Sequence, residues 1–476
     1  MIVKADCTPF FEGCDISDGT ATVKGRVLCD LLYESEGKSR LRYVGFAQEF
    51  THSVPLPRSS AKSVSAFCRL DCSRLSCRLI GPRRPMIKAV ISAELETESE
   101  LPVKAVAVTE GKDSFFRKKT IGFDGITKQC TKAKRVSDLL TLSQSEKSIG
   151  RIVCGSISLQ TPQITLSAGR AELRTTATAH ILCEEENGEG RYFTTVKTLP
   201  VTIEMTDESI SDGKQASATL CVTEREFTPE LDQYGESRSI KTEFSVNAAL
   251  SLCEQRAYTV AEDMFERDFD SIPITATAML PHLRTQEENS FSVEAKLTPD
   301  EQRITDLLDC TAKTVSSEAI VKEDGIYTEG GFLVTLLVST EQGVKSIDRL
   351  LQYSRLFPCE LNERDCAVSV DILPIEVIPT LHADGSITAR VAANAKISIR
   401  TETEERFISE VGKRTPREQE QEKSILVFCY PDKEESLWSI AKHYRTSPDE
   451  VQKSNPELFD ERGLFTGVRR PILIKR

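Results

Sequence analysis

Residues 169–205 read GRAELRTTATAHILCEEENGEGRYFTTVKTLPVTIEM. Two runs rich in Thr, Ala, Val, Ile and Leu alternate apolar with polar residues, and the charged, glycine-containing turn ENGEGR separates them. Period-2 alternation broken by such a turn is the pattern of an antiparallel hairpin with one buried face. The same grammar recurs on both sides. Upstream, GRVLCDLLY (25–33) passes through ESEGKS into RLRYVGFAQEF (40–50); downstream, GFLVTLLVS (331–339) passes through TEQGVK into SIDRLLQYSRLFPCEL (346–361). A second alternating run follows each hairpin: RRPMIKAVISAELE at 83–96, SRSIKTEFSVNAALSL at 237–252 and GSITARVAANAKISI at 385–399. Arg135-Val136-Ser137-Asp138-Leu139-Leu140 and Arg303-Ile304-Thr305-Asp306-Leu307-Leu308 add a recurring lead-in.

A hairpin alone cannot bury a face, so each recurrence is expected to fold as a sandwich or barrel-like sheet. The expected fold is therefore mainly β: tandem antiparallel β-sandwich or barrel-like repeats, with a different, smaller domain at the C-terminal end. Turn signals such as Asp18-Gly19, Asp324-Gly325 and Asp384-Gly385 agree with it. The 476 residues allow about three domains at roughly 150 residues each. Expected boundaries are residues 1–130, 131–258 and 259–412 for three β domains, a polar linker at 413–424 (KRTPREQEQEKS), and a small domain at 425–476. Repeated β modules generally make a scaffold or a multivalent surface rather than one active site.

Composition narrows the function classes. The chain has 61 Lys+Arg against 73 Asp+Glu, a net charge of −12, which argues against nucleic acid as a partner. Only 5 His are present, too few for much His-based metal or acid–base chemistry. The 15 Cys are an odd number scattered along apolar runs, as expected of buried thiols in a reducing compartment. Cys68, Cys72 and Cys77 have partial zinc-ligand spacing but no fourth ligand nearby, so no metal or other cofactor is expected. Arg69, Arg74, Arg78, Arg83 and Arg84 beside them read as a solvated strand face. The start, MIVKADCTPFFEGCD, lacks a basic segment followed by an apolar run, and no stretch is long enough to span a membrane. A protein that stays in the cytoplasm is expected. The nucleotide-binding loop, the zinc-protease HExxH and the GxSxG elbow are absent from the sequence, so no enzyme is expected.

The pattern changes at residue 425. ILVFCY reads as a strand. After PDKEE, Leu437, Ile440, Ala441 and Tyr444 fall on one face of a helix capped by Ser436. Ser447-Pro448-Asp449-Glu450 starts a second helix with a capping box, Asn455-Pro456 ends it, and Ile472-Leu473-Ile474 is a closing strand. The order is β-α-α-β.

SLWSIAKHYRTSPDEVQKSNP (436–456) resembles the LysM signature. The resemblance implies a shallow groove between the first strand–helix loop and the second helix–strand loop, which in the family takes N-acetylglucosamine polymers. Carried onto this chain, the groove residues are Glu434, Glu435, Ser436, Leu437, Trp438, Asn455, Pro456 and Gly467. Glu434-Glu435-Ser436 stands where the family has Gly-Asp-Thr, which removes an easy φ > 0 position and adds two carboxylates at the rim. Such a groove suits a protein as well as a glycan. Repeated β units ahead of a LysM domain, with Val23-Lys24-Gly25-Arg26-Val27 through Leu32-Tyr33, resemble the clostridial spore-coat morphogenetic family built from SPOCS domains plus LysM. That resemblance implies an adaptor in the mother cell, at the outer forespore surface, that holds the morphogenetic ATPase of the coat basement layer. The alternative is a cell-wall protein that binds peptidoglycan or its precursors.

Overall fold

The computed structural model describes residues 1–35, 40–56, 62–81, 84–100, 103–106, 113–188, 190–297, 304–359, 366–416, 426–432, 435–466 and 470–475. Its strands follow the alternating runs. β1 (Ile2–Ser17), β2 (Thr20–Glu34) and β3 (Leu41–Pro55) form an antiparallel meander, and β4 (Lys62–Gly81) and β5 (Arg84–Glu100) form a hairpin. β6 (Ser114–Thr141) comes next. A second meander centres on a strand flanked on one side by β7 (Ile149–Leu159) and β8 (Gln163–Ser167). That centre is β9 (Arg170–Glu185), with β10 (Tyr192–Thr206) on its other side. The hairpin of β11 (Gln215–Glu230) and β12 (Ser239–Glu266) takes β6 on its free edge. β13 (Phe269–Leu297) precedes a third meander of β14 (Ile304–Lys322), β15 (Gly325–Thr340) and β16 (Gly343–Pro358). The last hairpin, β17 (Cys366–Leu381) and β18 (Ile387–Pro416), pairs with β13. A two-stranded sheet of β19 (Leu426–Cys429) and β20 (Ile472–Lys475) then brackets α1 (Leu437–Tyr444) and α2 (Pro448–Ser454). The chain is mainly β with several antiparallel sheets, and no helix among the described residues is long and apolar enough to cross a membrane.

Sequence sets the details. Asp18 and Gly19 have φ of 49° and 71°, which gives the tight β1–β2 connection the doubly left-handed turn that suits the strand twist. The lead-in match does not survive. Arg135 lies in the last part of β6 and pairs with Glu243 of β12, whereas Ile304 opens β14 opposite Thr340. Six residues of alternation carry no register of their own, so they fit two different strands.

Two compact units divide the chain: Met1–Leu101, Gly125–Glu254 and Leu283–Thr401 in the first, and Pro102–Asp124, Gln255–His282 and Glu402–Arg476 in the second. The expected boundary at 130/131 falls inside β6 and that at 258/259 inside β12. Residues 413–416 of the expected linker continue β18, and 417–424 lie outside the described residues.

In the first unit, the second meander and the β11-β12-β6 sheet share one core, which includes Leu173, Ile181, Ile203, Phe244, Val246 and Leu250. The third meander and the β13-β18-β17 sheet share another, which includes Phe332, Val334, Val391 and Ala393. A third cluster joins all three meanders through Leu32 and Leu41, Leu182 and Tyr192, and Leu337 and Val344. Each meander has a register shift at the matching place, so that Lys4 faces Leu32, Cys154 faces Leu182 and Asp309 faces Leu337. A small cavity beside them, about 80 Å³, is lined by charge. Asp30 of the first meander pairs with Arg225 of β11, Asp309 of the third with His180 of the second at 3.8 Å, and Lys313 of the third with Asp6 of the first. Every pair joins two different sheets: the first meander to β11, the third meander to the second, and the third to the first. Burial pushes the Asp309 carboxyl up, but hydrogen bonding to His180 and the Lys4 charge outweigh it and hold it below the usual range.

Candidate functional site

The β-α-α-β module has a core of its own: Ile440, Val451, Phe465, Ile472 and Ile474, with Leu437, Tyr444, Val427 and Cys429 packed around it. The apolar face of α1 read from the sequence is the one buried here. Ser436 caps α1 by accepting a hydrogen bond from the Ser439 backbone N–H at 3.0 Å. The capping box expected at α2 does not form. Ser447 makes no side-chain cap bond, and the Glu450 carboxylate instead accepts from the Thr446 hydroxyl at 3.3 Å. Pro448 and two acids in the first turn supply what the cap does not.

Asn455 is buried at 6% exposure and fully engaged. Its Nδ2 donates to the Val451 and Leu473 carbonyls, each at 2.8 Å, and its Oδ1 accepts from the Leu473 N–H at 2.9 Å. It ties α2 to β20. Glu435, Ser436 and Leu437 are stitched to the loop after α2: the Leu437 N–H donates to the Gly463 carbonyl at 2.7 Å and the Phe465 N–H to the Glu435 carbonyl at 3.0 Å. The structure thus brings Glu435, Ser436 and Leu437 beside residues 463–465 and leaves Pro456 exposed at the end of α2. Glu434 and Gly467 lie outside the described residues.

Trp438 points elsewhere. It sits edge-on to Phe265, ring centroids 5.1 Å apart, and its Nε1 donates to Asp263 at 2.8 Å. Lys442 donates to both oxygens of the same carboxylate at 2.7 Å. Arg445 donates to the Glu266 carbonyl at 3.0 Å and to the Asp270 carboxylate at 2.7 Å. Trp438 and Lys442, one turn apart on α1, and Arg445, its left-handed C-cap, rest together on residues 263–270 within the second unit. Phe265, 2% exposed, also stacks on Phe115 with ring centroids 4.9 Å apart. Arg414 in turn binds the Glu266 carboxylate. The run EDMFERDFD (262–270) holds five acids around two Phe. Its one signal is Phe265 set among carboxylates, matched by an aromatic and two cations on α1 and its C-cap.

Burial pushes the Asp263 carboxyl up, but the hydrogen bonds from Lys442 and Trp438 outweigh it and hold it below the usual carboxylate range. A lowered folded pKa means that the contact stabilises fully above the unfolded carboxyl value, about 3.9, and loses that contribution as pH falls through the folded value. Tryptophan fluorescence, which reports the single Trp438, is therefore expected to hold steady down to about pH 4 and to change below it. An Asp263→Asn variant should lose that acid transition.

No family model, curated protein or solved structure matches this chain. The surface of the module is then the remaining guide. Val427 and Cys429 of β19 turn inward, so Leu426, Phe428 and Tyr430 share the other face, exposed at 53%, 65% and 71%. Leu473 of β20 lies opposite Phe428 and extends the stripe. Aromatic and aliphatic side chains exposed side by side on a sheet have a composition that suits contact with another protein.

Proposed function

We propose that this chain is a non-enzymatic adaptor of the SPOCS-plus-LysM spore-coat type. Three β modules make the scaffold, each a meander closed on a hairpin sheet. The β-α-α-β module is a LysM-type head that docks a protein partner, the ATPase of the coat basement layer, at the outer forespore surface in the mother cell. The observation that carries the reading is the stripe of Leu426, Phe428 and Tyr430 on a module whose α1 is anchored through other, charged side chains. A glycan in the groove would call on Asn455, whose amide already meets three backbone groups. That amide is not left over for sugar hydroxyls, and the apolar stripe is rich for a protein.

The test is co-purification of the full chain with the coat ATPase. Replacing both Phe428 and Tyr430 by Ala is expected to cost about 2–4 kcal/mol of binding, with an unchanged far-ultraviolet circular dichroism spectrum. Undiminished binding in the double variant would remove the stripe as the contact. Retention of the chain on purified peptidoglycan without any ATPase binding would replace the adaptor reading with the wall reading.

A further inference from the structure

Among the described residues, the β4-β5 hairpin has no third strand beside it, whereas the other two hairpins do. In the second, β6 flanks β12; in the third, β13 flanks β18. The contacts Ser290–Asn394 and Lys296–Asp384 show that β13 runs antiparallel to its neighbour. β5 follows β4 as β12 follows β11 and β18 follows β17, yet among the described residues β5 pairs with β4 alone. Burial records the difference. Val246 and Leu250 of β12 and Val391 and Ala393 of β18 are 0% exposed, whereas Ile87, Ala89 and Ile91 of β5 are only half-buried. The fully buried part of the core they face comes down to Cys7, Val27 and Cys29. Val90, on the other face of β5, is 44% exposed. With no strand on its outer edge among the described residues and a half-covered apolar face, β5 is a template for another strand.

The sequence of β5 fits its own open edge. Arg84 and Lys88 lie in its first half and Glu94, Glu96 and Glu98 in its second. Two copies laid antiparallel about Ile91 place Lys88 opposite Glu94 of the second copy, and the twofold axis repeats that pair. The same register sets Ile87 against Leu95, Ala89 against Ala93 and Ile91 against itself. Strand parity keeps the apolar set on the core side and the charged set on the solvent side, where Lys88 and Glu94 are both exposed. Each copy thus supplies the strand that β6 and β13 supply within the chain. We propose that β5 is a dimerisation edge, at which a second copy of this chain pairs antiparallel and completes the first module about a twofold axis.

Charge reversal tests the pairing on the full-length chain by sedimentation velocity. The wild type is expected to dimerise at micromolar concentration. K88E and E94K each set like charges opposite one another twice, and each should raise the dissociation constant about tenfold or more. The double variant K88E/E94K restores the pairs and should dimerise like the wild type, so a loss in the single variants is not a failure to fold. A wild type that stays monomeric, or a dimer indifferent to both single reversals, overturns the proposal. A monomer that instead binds a synthetic peptide of residues 288–297, the β13 sequence, would assign the edge to a foreign strand and likewise overturn the second copy as its occupant.

Discussion

Replacing Arg225 by Met is expected to destabilise the first unit by about 3–5 kcal/mol, read as a lower urea midpoint. The Arg225 and Asp30 side chains are 18% and 23% exposed, and the Tyr43 hydroxyl donates to the same Asp30 carboxylate at 2.6 Å. Met keeps most of the aliphatic volume but removes the only cation paired with Asp30 among the described residues. A carboxylate left in a largely buried, narrow cavity with one hydroxyl donor bears most of its desolvation cost uncompensated. The paired variant Arg225→Met/Asp30→Leu is expected to recover much of the loss, since an apolar pair replaces the ion pair without stranding a charge. A double variant as unstable as the single one would mean that the damage comes from packing and not from the orphaned carboxylate.

Replacing Trp438 by Ala should cost about 2–4 kcal/mol at the contact between α1 and residues 263–270. The loss has two parts. The ring leaves Phe265 without its edge-on neighbour, and Asp263 loses one of its side-chain donors while keeping Lys442. Because the module keeps its own core of Ile440, Val451, Phe465, Ile472 and Ile474, it should stay folded. Hydrogen exchange is therefore expected to quicken at 262–270 and along the outer face of α1, while β19 and β20 keep their protection. Equal loss of protection throughout 426–475 would make Trp438 a core residue of the module and would contradict the docked arrangement.

How far these features were legible follows from the range of the forces involved. Alternation and turn chemistry act over a few residues, so the hairpins around Gly25, Gly169 and Gly331 could be read directly, and so could the buried face of α1 at Ile440 and Ala441. The partners of each sheet could not, because β6 and β13 reach their neighbours across more than a hundred residues and nothing in a period-2 pattern names a partner. That is why the lead-in segments at 135–140 and 303–308 looked alike, while 135–140 stand in β6 and 304–308 in β14. The site residues divide the same way. Ser436 acts locally, as a cap should. Asn455 proves to be a tie between α2 and β20, and Trp438 is engaged by Phe265 and Asp263, contacts that only the folded second unit creates. Asp30, His180 and Asp309 were single polar residues in apolar runs, and they became informative only when three register shifts brought them to one cavity.

The function of this chain turns on what the β-α-α-β module binds. Isothermal titration of the full chain with the coat ATPase, and in parallel with soluble N-acetylglucosamine oligomers, decides it. The predicted result is saturable heat with the ATPase that disappears in the Phe428→Ala/Tyr430→Ala variant, and none with the oligomers. Saturable oligomer binding that survives the same double substitution, with no heat from the ATPase, would contradict it.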